Sequence, residues 1–224
     1  WVYEGIARTQ DELDGHATQQ GANVGDCLYK DISGPNGEPD GVIDAYDQTV
    51  LGSGLPKVNF GLSTHMEYKG FDLNISTYGV LNYHVSDDIY NSLNSCYGYG
   101  NKEVGMLDAN RWSEDGSTYL SSVPRTYAAN NATLAWNDLF SSRKIQNAAY
   151  WKIANVELGY NFPDKWFGGY VSGVRLYVSA QNLYTFTGYH GYNVDYAGGT
   201  FTPGYNFCSF PSARTFMCGL HFTF

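Results

Sequence analysis

Five stretches of this chain alternate apolar and polar residues at period two for about ten residues each, and that pattern limits the fold more than any other feature. The first runs from about Val58 to Tyr68, with Phe60, Leu62, Met66 and Tyr68 on one face and Asn59, Ser63, His65 and Glu67 largely opposed. A short Lys69-Gly70 turn leads into the second, Phe71 to about Val85, where Phe71, Leu73 and Ile75 alternate with Asp72, Asn74 and Ser76. These two read as a tight hairpin. The third spans Tyr150 to Phe162, with Val156, Leu158, Tyr160 and Phe162 against Asn155, Glu157 and Asn161. The fourth runs from Val174 to about Phe186, with Val174, Leu176, Val178 and Ala180 against Arg175, Ser179 and Gln181. The last is Thr215 to Phe224, with Phe216, Cys218, Leu220, Phe222 and Phe224 on one side.

Strands of soluble sheets are mostly five or six residues long, whereas a strand tilted across a bilayer needs about 9–11. Short turns at one end, and long connections over about residues 86–149 and 187–214 at the other, complete the pattern of a membrane barrel. No run approaches the ~20 apolar residues of a membrane helix, so any embedding has to be as β-structure. The expected fold is therefore all-β: an antiparallel transmembrane β-barrel segment over strands at about 58–85, 150–186 and 215–224. The stretches around Lys102–Trp112 and Asn137–Lys144 are each expected to form a helical turn or two.

Composition agrees, with 20 Tyr, 12 Phe and 26 Gly but only 16% charged residues. Tyr and Phe favour strands and Gly favours turns and bulges. A secreted soluble β-sandwich that binds glycans would share this composition, with shorter strands and the apolar rows folded into one core. The net charge of −9 argues against a nucleic-acid partner, which would be repelled over most of the surface. Cys27, Cys96, Cys208 and Cys218 lie far apart with no CxxC, which is not a disulfide framework, and Cys218 sits in an alternating run as a small hydrophobe. The start at Trp1, without a basic and apolar leader, suggests a mature or truncated chain.

Chemistry-bearing patterns are few. In the acidic loop of about residues 25–52, Asn36, Glu38, Asp40, Asp44 and Asp47 approximate the oxygen-ligand order of a Ca²⁺ loop, with Gly41 at its sharp turn, the Val42 carbonyl as a further ligand and Ile43 as a buried anchor. Pro35 and Pro39 interrupt the loop, and Asp31 replaces Asn36 as first ligand if the segment between bulges out. The other reading is an acidic turn closed by Asx-type hydrogen bonds. A Ca²⁺ here would be structural. Catalysis finds little support: Asp87-Asp88 and Glu114-Asp115 are adjacent pairs, which point to opposite faces of a strand, and HExxH and GxSxG are absent.

Several segments together carry a resemblance. Gly25-Asp26-Cys27-Leu28-Tyr29-Lys30-Asp31 and Asp40-Gly41-Val42-Ile43-Asp44-Ala45-Tyr46-Asp47 resemble a stretch of the SusC/RagA-type TonB-linked outer-membrane transporters. Phe60-Gly61-Leu62, Tyr68-Lys69-Gly70-Phe71-Asp72-Leu73, Arg111-Trp112, Pro124-Arg125 and Asn155-Val156-Glu157-Leu158-Gly159-Tyr160 follow in the family's order. So do Arg175 through Leu183, Thr185-Phe186, and the ending from Pro211-Ser212-Ala213-Arg214 to Phe222-Thr223-Phe224. The resemblance implies the last strands of a barrel of roughly 22 strands. It also implies an N-terminal plug, a TonB box and further strands outside these residues. The implied function is import of oligosaccharides or oligopeptides across the outer membrane, with a SusD-like lipoprotein capping the barrel and the TonB complex pulling on the plug. Leu220, Phe222 and Phe224 fit the C-terminal signal that barrel-assembly machinery engages.

Overall fold

The structure, a computed structural model, describes residues 1–96, 100–106, 111–113, 122–126, 136–167, 171–195 and 199–223. Along the chain its elements are β1 (Tyr3–Ile6), α1 (Gln10–Asp14), β2 (Cys27–Tyr29), β3 (Val58–Tyr68), β4 (Phe71–Leu81), β5 (His84–Asp87) and α2 (Asp88–Leu93). They continue as β6 (Ile145–Asn147), β7 (Tyr150–Phe162), β8 (Gly173–Thr187), β9 (Tyr205–Asn206) and β10 (Thr215–Thr223). Single 3₁₀ turns at Val104–Met106, Trp136–Asp138 and Ser142–Lys144 fall in the two stretches expected to be helical. The chain divides into two units, one of residues 1–52, 86–146 and 205–208, the other of 53–85, 147–204 and 209–224.

The second unit holds the long strands. They form an antiparallel five-stranded sheet in the order β10-β8-β7-β4-β3. Met66, Leu73, Leu158, Val178 and Cys218 stand abreast on one face, and their neighbours Glu67, Asp72, Gly159, Tyr177 and Gly219 stand abreast on the other. β7 changes phase at Ala154, an unpaired bulge residue, so that Lys152 and Asn155 share the polar face although they are three positions apart. The β3–β4 turn has positive φ at both central residues, Lys69 (49°) and Gly70 (88°), the geometry that matches strand twist in two-residue hairpins. The second strand ends at Leu81, short of the expected Val85, because Asn82 takes a left-handed φ of 52° and the chain re-enters extended structure only at β5.

The apolar rows do not fold onto a core. Leu62 is 62% exposed, Val178 50% and Leu220 58%, in a continuous face far beyond what a soluble sheet leaves open. Aromatic pairs band that face at both ends. Phe71–Tyr160 (4.6 Å) and Phe162–Trp166 (5.9 Å) lie at the short-turn end, and Trp151–Phe186 (5.3 Å) at the long-loop end. The unit's buried cluster is instead Val80, Tyr83, Val85, Ala148, Tyr150, Tyr189 and Val194, where the chain beyond the strands folds against the polar side of β4 and β7. The sheet has the make-up of a membrane-barrel wall, and these five strands alone do not close a barrel.

The first unit is small and irregular. β1 and β2 form an antiparallel ribbon over a cluster of Cys27, Tyr29 and Ile43, joined by Trp1, Tyr3 and Trp136. Thr9 caps α1 by accepting the Glu12 amide, and Asp87 caps α2 by accepting that of Tyr90. All four cysteines are free; burial pushes the Cys27 thiol up to about 12, the behaviour of an inert core residue.

Candidate lumen wall and acidic loop

The polar face of the sheet is organised around Arg175 on β8. Its Nε donates to Asp72 Oδ2 at 3.0 Å, and its Nη2 donates to Asp72 Oδ1 and to Glu157 Oε1 at 2.7 Å. Asn161 Nδ2 adds a bond to Asp72 Oδ2 at 3.0 Å. One guanidinium thus ties three strands, β4, β7 and β8, through two carboxylates. Gly159 makes this possible, since a Cβ there would overlap both the Arg175 guanidinium and Asp72. Gly219 likewise clears the Tyr177 ring, which lies 5.2 Å from the Arg175 guanidinium carbon. On β3, His65 sits between Asn74 Oδ1 (2.6 Å) and Glu67 Oε1 (3.0 Å). Each acid here meets a guanidinium, an amide or an imidazole within the wall, an arrangement that builds a surface rather than an acid–base pair.

Nearer the long-loop end, Lys152 points from β7 to the same side and pairs with Asp195, which lies in the segment after β8. Lys152 is almost wholly buried, its side chain 4% exposed. Neither partner was singled out by sequence reasoning. The polar phase of β7 signals that Lys152 faces inward only once the Ala154 bulge is known, and Asp195 lies in a loop with no periodicity to read.

Comparison with known proteins is decisive. No family model matches the chain. TonB-dependent receptor P3 of Formosa agariphila is 30% identical across 100% of this chain and 22% of its own length. TonB-dependent receptor SusC of Bacteroides thetaiotaomicron is 26% identical across 88% of the chain and 19% of its length. The RagAB peptide importer in its open-open state superposes over the whole chain and 22% of its own, with a TM-score of 0.73 at 22% identity. The chain belongs to the SusC/RagA family. It spans about a fifth of the length of the relatives it matches, corresponding to a C-terminal part of them.

The SusC/RagA signature residues turn out to be structural locks. Asp26 receives Arg125 on both oxygens, at 2.6 and 2.8 Å, and Asn137 on Oδ1 at 2.8 Å. Gly25 holds a φ of 93° with the Trp112 ring packed where a Cβ would lie. Asn182, at a φ of 52°, donates from Nδ2 to the Ala213 carbonyl and so fixes the approach to β10. Leu220 and Phe222 stand in the apolar row of that strand, and Phe224 lies outside the described residues.

In the acidic loop the expected ligands are only partly gathered. Asp47 is fully buried and accepts the amides of Ile32 (2.7 Å), Ser33 (3.2 Å) and Asp44 (2.8 Å). Burial opposes its ionisation, yet the hydrogen bonds from these amides hold it below the usual carboxylate range. Asp31 Oδ2 accepts the Gly41 amide at 2.7 Å, while its Oδ1 is buried with no hydrogen-bond partner. Asp44 accepts Tyr46 N and Asp40 accepts Val42 N, each an Asx-type closure. Asn36 and Glu38 are exposed, and Asp31, not Asn36, is the residue brought beside Asp47. Among the described residues no three His, Cys, Asp or Glu side chains stand together as a metal site. The fit to Ca²⁺ is therefore a pair of carboxylates with one free oxygen.

The adjacent acids also separate by role. Asp87 accepts Tyr90 N and Asn206 Nδ2, and Asp88 accepts the Tyr205 hydroxyl. Glu114 and Asp115 lie outside the described residues.

Proposed function

We propose that this chain supplies barrel wall and lumen lining to an energised outer-membrane importer of oligosaccharides or oligopeptides. In this reading a SusD-like surface lipoprotein caps the barrel and the TonB complex acts through parts of the protein outside these residues. The observation that carries it is the sheet itself: a continuous exposed apolar face with aromatic bands, backed by a polar face whose charges are internally paired. Such a wall suits lipid on one side and a hydrated path on the other. The relatives' names point to receptors and importers, which agrees with a role in passage and not in turnover.

The test is made on the native polypeptide carrying this C-terminus. Extracted from outer membranes in detergent, it should migrate anomalously unless boiled and have a denatured mass several times 24.9 kDa, and in intact cells its uptake of oligosaccharide or oligopeptide should require TonB. A detergent-free soluble species of this chain's own mass, or uptake indifferent to TonB, would overturn the reading. We further propose that the free oxygen of Asp31, beside Asp47, is where a structural Ca²⁺ enters the acidic loop.

A further inference from the structure

Beyond β8 the chain turns back over the wall. Residues 188–195 cross its polar side, where Tyr189 and Val194 are buried against Val80, Tyr83 and Tyr150. Tyr78 and Val80 share the face of Asp72 on β4, and Lys152 and Tyr150 stand abreast of them on β7. One carboxylate of this strap, that of Asp195, gathers three groups of the wall. It pairs with the Lys152 ammonium and accepts the hydroxyls of Tyr78 and Tyr150. The strap is pinned at both ends as well. The Tyr189 amide donates to Thr187 Oγ1 at 3.1 Å, and that hydroxyl donates to the Ala149 carbonyl at 2.9 Å. The Asp195 amide donates to Asn193 Oδ1 at 3.0 Å, and Asn193 Nδ2 donates to the Phe210 carbonyl at 2.9 Å. His190 and Tyr192, between the two buried residues, stay exposed.

We infer that this strap is a constriction that limits how bulky a cargo the transporter passes, and that Asp195 is the residue that holds it inward. The inference rests on the importer reading, which makes the polar side of the wall the side of the path. Connecting segments ordinarily keep to the outer surface. This one covers wall instead, so its volume is taken from the path, and the width of a path is one of the properties that set a transporter's selectivity. The hold is specific in its chemistry. The Lys152 side chain is 4% exposed, so loss of Asp195 leaves an ammonium without a counter-charge. That ammonium regains water only if the strap lifts. Removal of both charges leaves nothing to hydrate, and Tyr189 and Val194 then keep the strap seated. Asp195 is a positioning residue, acting on cargo through the strap and not by contact.

The experiment uses the full-length transporter in intact cells. Val194→Cys places a thiol under the strap, Cys208→Ser removes an exposed one, and the same protein with Val194 retained gives the background. A membrane-impermeant maleimide then reports whether the strap is seated. Asp195→Ala should speed labelling at position 194 about tenfold or more, and Lys152→Met combined with Asp195→Asn should bring it back to within about threefold of the clamped protein. Asp195→Asn alone serves if Asp195→Ala loses heat-modifiable migration. Uptake is scored in cells that keep Val194, as depletion of linear and branched glucose oligosaccharides and of hexapeptides rich in glycine or in tryptophan. The ratio of bulky to slim cargo should rise about threefold or more in Asp195→Ala and fall back in the double variant. Labelling as fast in the clamped protein as in Asp195→Ala overturns the hold by Asp195. A ratio that stays put while labelling rises overturns the constriction and leaves the importer. Uptake of none of the probes by the unaltered protein, or uptake without TonB, removes the importer reading and the constriction together, while the labelling rates still decide whether Asp195 holds the strap.

Discussion

Asp47 shows how a single carboxylate organises an irregular segment. Its two oxygens take three amides, from Ile32, Ser33 and Asp44, and so draw the two limbs of the acidic loop together. Its folded value lies below the 3.8 of a free aspartate, so the stabilisation is present above that pH and is lost as pH falls through the lower folded value. Hydrogen exchange of a peptide covering residues 30–47, corrected for intrinsic rate, should therefore stay protected near neutrality and begin to lose protection only as pH falls below 3.8. Asp47→Asn should lose most of that protection already at neutral pH. Asp31 is the residue for the metal test. Chelation should speed exchange in the same peptide, millimolar Ca²⁺ should restore it, and Asp31→Asn should abolish the difference. Exchange indifferent to calcium in the unaltered protein would leave the loop closed by hydrogen bonds alone.

At the scale of elements, neighbouring positions on one strand face opposite environments. Leu158 belongs to the apolar row and Glu157 to the wall bound by Arg175. Leu158→Arg should destabilise the barrel by about 2–4 kcal/mol if the row lies near mid-bilayer, read as a lower temperature for loss of heat-modifiable migration. Glu157→Gln keeps a hydrogen-bond acceptor for Arg175 and should move that temperature far less. Equal shifts in the two variants would argue against the assignment of faces. The strands and their faces were legible because alternation is a property of neighbours in sequence. Leu73 and Ile75 declare their side of β4 without reference to anything distant. The wall's internal pairings were not legible. Nothing near Arg175 in sequence names Asp72, a hundred residues earlier, and Gly159 gives no sign of the space it clears. The acidic loop was half legible: its acids were visible, but the Pro35–Pro39 segment carried Asn36 and Glu38 outward and left Asp31 beside Asp47.

For the whole molecule, the first unit is assembled from three separated stretches, 1–52, 86–146 and 205–208, threaded between the stretches that make the sheet. Asp26 meets Arg125 and Asn137 about a hundred residues on, and β5 meets β9 farther still, through Asp87 and Asn206. Contacts of such span form slowly, because loop closure precedes any gain from the contact. In time, this interleaving makes the molecule its own checkpoint. Each unit draws on residues beyond position 204, so a chain cut before residue 205 lacks parts of both.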